Sequence, residues 1–209
     1  MLTSTCLTEE QKAIKDTASQ FMLEKIKPYA KAWDENFEFP RATLELAAEL
    51  GFSSLSVSDD NGGLSLSATD CIWLYSELAR GCPSTTAYLS IHNMVCGVID
   101  KYGNEYHHQL LPDLITMKTF SSYCLSEPHA GSDAASLTTK AERKGNNYIL
   151  NGNKAFISGG GNSDIYLVMA KTSDEGAKGI SCFIVEKNTP GLSPVSYTHL
   201  TRPRTPSVC

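Results

Sequence analysis

Tyr123-Cys124-Leu125-Ser126-Glu127-Pro128-His129-Ala130-Gly131-Ser132-Asp133 marks the place where the chain changes character. The periodic segments before it repeat like helices, and nearly all those after it alternate like strands. From Phe120 to Glu127 the alternation puts Tyr123, Leu125 and Glu127 on one face and Cys124 and Ser126 on the other. Pro128 lacks the N–H that a further ladder bond needs, so it ends the strand. The bend His129-Ala130-Gly131-Ser132 lets backbone N–H groups and a hydroxyl converge. Gly131 permits close approach of a ligand there, and such a nest suits an anionic group such as a pyrophosphate.

Upstream, Thr8 and Gln11 make a capping box, followed at helical spacing by Ile14, Ala18, Phe21, Met22 and Ile26. Pro28 bends or ends that helix, while Tyr29 and Trp33 carry its stripe on to Asp34 and Glu35. Pro40 is expected at N1 of a short second helix with Leu44, Ala47 and Ala48 on one face and Gly51 at C′. A Ser/Asp/Asn/Gly-rich loop around Asn61-Gly62-Gly63 precedes a third helix, which Ser67 and Asp70 cap and which stops at Gly81. Its run Cys71-Ile72-Trp73-Leu74-Tyr75 is apolar all round, which predicts burial inside a bundle. Ser84 is expected to cap a fourth helix, with Tyr88, Ile91, Val95, Val98 and Ile99 inward and Gly103 at its end. Asn104 starts a fifth, carrying Leu110 and Leu111 before Pro112.

Downstream, Lys144-Gly145-Asn146-Asn147 separates a strand near Thr138–Glu142 from one at Tyr148–Leu150. Asn151-Gly152 signals a tight hairpin into a strand from Lys154 to Ser158. Ile165 to Ala170 is continuously apolar, as a strand covered on both faces would be, and Ile180 to Glu186 alternates. Helices first and strands afterwards predict two consecutive domains, 1–118 helical and 119–193 β. Residues 194–209 have no apolar period and three prolines, and are expected to be a foreign, artefactual tail outside the fold.

Taken with Asn151-Gly152-Asn153-Lys154-Ala155-Phe156-Ile157-Ser158, the opening stretch resembles the flavin-binding segments of the acyl-CoA dehydrogenase family, in wording, order and spacing. The run from Gly81 to Met94 is similar to the matching helix of the family's isobutyryl-CoA branch. The resemblance covers about residues 7 to 193. It implies an α+β chain: an all-α helical bundle followed by an incomplete antiparallel β-barrel domain, with the family's C-terminal helical domain missing. It also implies FAD as cofactor. Tyr123 and Leu125 would lie at the flavin ring, with Cys124 in the same segment. Ser126, where the family more often has Thr, would offer a hydroxyl to the ring's polar edge. Ser132, after Gly131, would contact both the pyrophosphate and the bound acyl-CoA. Phe156, Ile157 and Ser158 would flank the isoalloxazine, with Ser158 near N5. His129 stands where the family has a small residue.

The reaction so implied removes an α-proton from a saturated, short branched acyl-CoA with a glutamate base while hydride leaves the β-carbon for flavin N5. That base belongs to the missing domain, so no catalytic residue is assigned in this chain. The further expectations by resemblance are a mitochondrial matrix location, a homotetramer, and electron-transfer flavoprotein as acceptor. An oxidase of the same fold, or a non-catalytic fragment that associates with full-length subunits, remain alternatives. An incomplete barrel leaves strand edges and apolar surface open, so the 209-residue chain alone is expected to bind FAD weakly or not at all.

Other classes are excluded by composition and pattern. The 209 residues are 41% hydrophobic and 20% charged, with 18 basic against 23 acidic side chains, which offers no footprint for nucleic acid or a membrane surface. No apolar run approaches the ~20 residues of a membrane span. No arginine precedes Arg41, so no Arg-rich transit peptide is read. The seven cysteines (Cys6, Cys71, Cys82, Cys96, Cys124, Cys182, Cys209) form no Cys-x-x-Cys pair and are expected to be reduced. His107 and His108 are adjacent, hence not an i, i+4 metal pair, and no metal is expected. His92 reads as a packed histidine. Gly159-Gly160-Gly161 lacks the dinucleotide-fold spacing, and no Gly-x-Ser-x-Gly elbow is present.

Overall fold

The computed structural model describes residues 7–194. The chain divides between Lys118 and Thr119 into two compact units. The tail from residue 195 onward lies outside the described residues.

The first unit is helical. Its α1, Glu9–Phe21, opens on the expected reciprocal capping box of Thr8 and Gln11. The helix widens into a π turn at Met22–Ile26, with both of those side chains buried. Gly81 makes room for that turn, because a Cβ there would lie 2.7 Å from Met22 Cγ. After α2, Ala30–Asn36, comes α3, Arg41–Glu49, with Pro40 at the N-cap rather than N1 and Gly51 at φ +76° just past its end.

The loop that follows is held by a buried amide. Asn93 Oδ1 accepts from Leu55 N at 2.8 Å, while its Nδ2 donates to Phe52 O at 2.8 Å and Leu89 O at 3.0 Å. In α4, Ala68–Ala79, the Ser67–Asp70 box is complete. The expected all-round burial of α4 is not found. Leu74, Glu77 and Leu78 are covered, but Ile72 is 56% exposed, because within this unit α4 packs chiefly on α1 and on α5, Pro83–Tyr102.

The cap of α5 is Cys82, not Ser84. Pro83, with its φ already set for the first helical position, moves the start upstream, and the Cys82 sulfur accepts from Thr85 N. The expected fifth helix is two short ones, α6, Glu105–His108, and α7, Leu111–Ile115. Pro112 lies inside the first turn of α7, where a missing N–H costs nothing.

The second unit is a sheet of β1, Ser121–Cys124; β2, Lys140–Lys144; β3, Asn147–Asn151; β4, Ile165–Lys171; and β5, Ile180–Glu186. The α-then-β order stands, but the sheet is mixed rather than antiparallel throughout. Central β4 pairs parallel with β1 (Ser121↔Ile165 to Cys124↔Val168) and antiparallel with β5 (Ile165↔Glu186 to Lys171↔Ile180). At its end β4 also meets β2 in parallel, Lys140↔Lys171. Between β1 and β4 the chain makes one long excursion and returns in the same direction, which a parallel pair requires. The hairpin lies between β2 and β3 at Gly145, φ +64°, and not at Asn151-Gly152. As expected, β4 is largely buried on both faces. On one face Cys124, Tyr166, Val168 and Ile157 form a core cluster joined by Leu150, Val185 and Leu192.

His92 is fully buried in α5 and its Nε2 lies 2.9 Å from Leu114 O, so that nitrogen carries the proton. Burial lowers its pKa from the usual 6.5 to about 4, partly opposed by the bond to Leu114 O. A histidine that must stay neutral to fold contributes in full above its unfolded pKa, and that contribution is lost as pH falls from 6.5 toward 4. The loss should amount to about 3 kcal/mol. Urea unfolding at pH 7 and pH 4.5 should show it, and His92→Gln, which keeps a donor for Leu114 O, should flatten most of the difference.

Candidate functional site

The candidate site is built around the carboxylate of Glu127. Strand β1 stops at Cys124, and three residues later the chain folds back: Glu127 N donates to Ala130 O at 3.0 Å and Ala130 N to Glu127 O at 3.1 Å, with Pro128 and His129 at the corner. The Glu127 side chain is fully buried. Its Oε2 accepts from Thr138 N (2.7 Å) and Thr138 Oγ1 (2.9 Å). Its Oε1 accepts from Thr139 N (3.0 Å), Thr139 Oγ1 (2.6 Å) and Lys154 Nζ (2.8 Å). His129 Nε2 stands 3.5 Å from Oε2 and 3.1 Å from Thr138 Oγ1. Burial by itself would raise the carboxyl's pKa. The Lys154 ammonium and the Thr139 and Thr138 donors outweigh it and hold the group well below the usual carboxylate range. Its contribution to stability is therefore full above about pH 4.3 and lost only in stronger acid.

Lys154 explains why the expected strand at 154–158 is absent. The same ammonium donates to Leu125 O at 3.0 Å, and Ala155 N donates to Ser126 O at 2.9 Å. Residues 152–158 thus run as an irregular strap beside 125–127. Gly152 lies so close to Thr139 that a Cβ would sit 2.3 Å from its Oγ1 and 2.6 Å from its Cα. Phe156 takes a left-handed backbone, φ +58°, which breaks any strand alternation. Phe156 and Ser158 therefore do not share a strand face. The Phe156 ring is 74% exposed, while Ile157 is buried in the core cluster. The Ser158 carbonyl is fixed from below by Ser122 Oγ at 2.6 Å, itself 2.7 Å from Ser163 Oγ, with both of those serines buried. Gly159 and Gly161 have φ of +80° and +81° in a turn closed by Gly161 N donating to Tyr166 OH at 3.0 Å.

The residues singled out in the sequence are thereby set on one strand end, one turn and one strap. Tyr123, Leu125 and Ser126 are half-buried, and Gly131 and Ser132 are exposed on the turn. Cys124 points into the core, and burial pushes its thiol up to about 12, so only its backbone is left for a ligand. The hydroxyls of Tyr123, Ser126, Ser132 and Ser158 have no hydrogen-bond partner among the described residues. Nothing lies within 4 Å of where a Cβ of Gly131 would be. The exposed Phe156, these hydroxyls and the open turn at Gly131 are therefore the groups that the strand end, turn and strap leave available.

Sequence reading missed the residues that hold this arrangement: Thr138, Thr139, Lys154, Ser122 and Ser163, and Glu127 as more than a strand position. The only local signal was an acidic residue left at a strand end beside a proline. Its partners are distant in sequence. Among the described residues no cluster of metal-ligating groups occurs, and no helix is long and apolar enough to cross a membrane.

Comparison with known proteins identifies the family. Residues 8–118 match the N-terminal domain of acyl-CoA dehydrogenases, and residues 122–203 match their middle domain, ending inside the 194–209 stretch. The chain belongs to the acyl-CoA dehydrogenase family, whose members are oxidoreductases. It is 53% identical over 189 residues to the mitochondrial isobutyryl-CoA dehydrogenase of Dictyostelium discoideum, covering 90% of this chain and 45% of that one. To the mitochondrial isobutyryl-CoA dehydrogenase of Bos taurus it is 52% identical over 188 residues, with the same shares, 90% and 45%. A glutaryl-CoA dehydrogenase from Mycobacterium smegmatis in complex with FADH2 superposes with a TM-score of 0.87 at 27% identity, over 96% of this chain and 51% of that one. The chain spans about half the length of these relatives.

Gly152→Ala should drive Thr139 away from Glu127, since the contact includes the Thr139 backbone Cα as well as its hydroxyl. A loss of about 1–3 kcal/mol is expected, read by urea or thermal unfolding. An unchanged midpoint would show that the strap does not need this approach.

Proposed function

We propose that this chain is the FAD-contacting front of an acyl-CoA dehydrogenase that oxidises a short branched acyl-CoA, isobutyryl-CoA to methacrylyl-CoA in valine breakdown. The observation that carries the reading is the pairing of strand end and strap. The Ser126 carbonyl and the Ala155 N–H join them, so the two family segments lie side by side, as one cofactor face requires. The high identity to two isobutyryl-CoA dehydrogenases supports the choice of acyl group.

When bound, FAD would accept the hydride. Everything else asked of these residues is binding and orientation. Tyr123 and Leu125 would border the ring, and the Ser126 hydroxyl would hydrogen-bond its polar edge. Phe156, Ile157 and Ser158 would flank it, with the Ser158 N–H or hydroxyl near N5, where a donor stabilises charge that develops on reduction. Gly131 and Ser132 would meet the pyrophosphate, and Ser132 also the acyl-CoA. The α-proton would go to a glutamate outside this chain's matched domains. In this reading the working enzyme is a homotetramer of the mitochondrial matrix that hands its electrons to electron-transfer flavoprotein.

A full-length subunit carrying residues 7–193 should purify yellow and lose its oxidised flavin absorbance when isobutyryl-CoA is added without oxygen. Ser126→Ala should weaken FAD binding about tenfold, the scale of one net hydrogen bond. A colourless full-length protein, or a yellow one that isobutyryl-CoA does not bleach, would overturn the assignment, and peroxide release with substrate would favour an oxidase.

A further inference from the structure

We propose that Lys154 is a positioning residue for the cofactor face, tying strand end and strap into one unit and setting how the strap is presented. The inference rests on the FAD reading above and adds to it a role for a side chain that contacts no ligand itself.

The geometry is specific to that role. The Lys154 side chain is 11% exposed, and its ammonium reaches Leu125 O at 3.0 Å and Glu127 Oε1 at 2.8 Å. Leu125 O lies just beyond the last β1 ladder pair, Cys124↔Val168, where β4 no longer supplies a donor. The next carbonyl, Ser126 O, is taken by Ala155 N. Lys154 and Ala155 therefore stitch successive carbonyls of 125–126, and through Glu127 the same ammonium is fixed to Thr138 and Thr139.

Immediately after this stitch the chain enters the left-handed region at Phe156, and two residues later Ser122 fixes the Ser158 carbonyl. A left-handed non-glycine backbone persists where the surrounding structure over-determines it. Lys154 and Ala155 pin one flank, while Ile157 and Ser122 pin the other. Every bond Lys154 makes goes to the strap's own neighbourhood, and none goes to the β4–β5 ladder that forms the middle of the sheet.

Lys154→Met keeps the apolar stem and removes the charge. In the intact protein stripped of FAD, amide hydrogen exchange at Ala155 to Ser158 should rise at least tenfold while exchange in β4 and β5 stays as in the unmodified protein. With FAD bound, the flavin absorption band should shift and the cofactor dissociate faster. Lys154→Arg should restore part of both effects, and Glu127→Gln should move both the same way.

Equal loosening of β4 and β5 would make Lys154 a general stabiliser, and unchanged exchange at the strap would remove the tie; either overturns the proposal. So would a loosened strap with an unaltered flavin spectrum. If the unmodified protein binds no FAD, the FAD reading fails, and with it the cofactor role, while the exchange result still decides whether Lys154 ties the strap.

Discussion

A buried carboxylate is unfavourable by several kcal/mol unless charge and hydrogen bonds compensate it, and the sheet unit is arranged so that Glu127 receives both. Its oxygens take amide and hydroxyl donors from Thr138 and Thr139 and the ammonium of Lys154. Since none of these partners is local to Glu127, satisfying the group fixes three places at once: the end of β1, the approach to β2 and the strap. The long excursion between the parallel strands β1 and β4 is therefore not a slack loop. It is wrapped around one charge, and its exposed turn at Gly131 and its strap inherit their positions from that charge.

The same dependence separates what the sequence showed from what it concealed. Features set by neighbours within a few residues were legible. The capping boxes at Thr8 and Ser67, Gly51 past α3, the run Ile165 to Ala170 and the strand Ile180 to Glu186 were all read from local pattern. So was His92 as a packed histidine, because an isolated histidine amid helical apolar spacing has little else to do. Features set by distant contacts were misread. Asn151-Gly152 carries strong hairpin wording, yet Gly152 is needed for close contact with Thr139 and not for a turn. Lys154 to Ser158 has strand composition, but its lysine is drawn to Glu127 and its phenylalanine is left-handed.

On the helical side the misreadings have a related origin. An all-round apolar helix predicts burial, but α4 leaves Ile72 exposed within its unit, and sequence periodicity does not distinguish a covered face from one awaiting cover. The last expected helix was ended before Pro112, although a proline in a first turn is compatible with helix and here lies at the start of α7. The candidate site was legible in a different way. Its residues came from a resemblance in wording, and local physics supplied only the open turn and the strand, which ends at Cys124 and not, as expected, at Pro128. The supports, Ser122, Ser163, Thr138, Thr139 and Lys154, had no wording to betray them.

Phe156 shows how support and presentation are linked. A left-handed backbone at a bulky residue costs roughly 1–3 kcal/mol, and an aromatic ring left 74% exposed forgoes the gain of burial. A sheet domain selected for stability alone would relax both by letting the strap join a strand. It cannot do so here, because Ala155 is bonded to Ser126, Ile157 is buried in the core, and the Ser158 carbonyl is held by Ser122. The cost is thus borne by a scaffold that leaves Phe156 exposed. Under the proposed reading a planar cofactor laid against this face would return part of that cost on binding, because it would cover the ring and give the hydroxyls partners without moving the backbone. Preorganisation of this kind lowers the ordering penalty of binding. It also places the burden of affinity on the rigidity of the strap, which makes the buried Glu127–Lys154 pair, rather than any residue touching the ligand, the point through which the face is controlled.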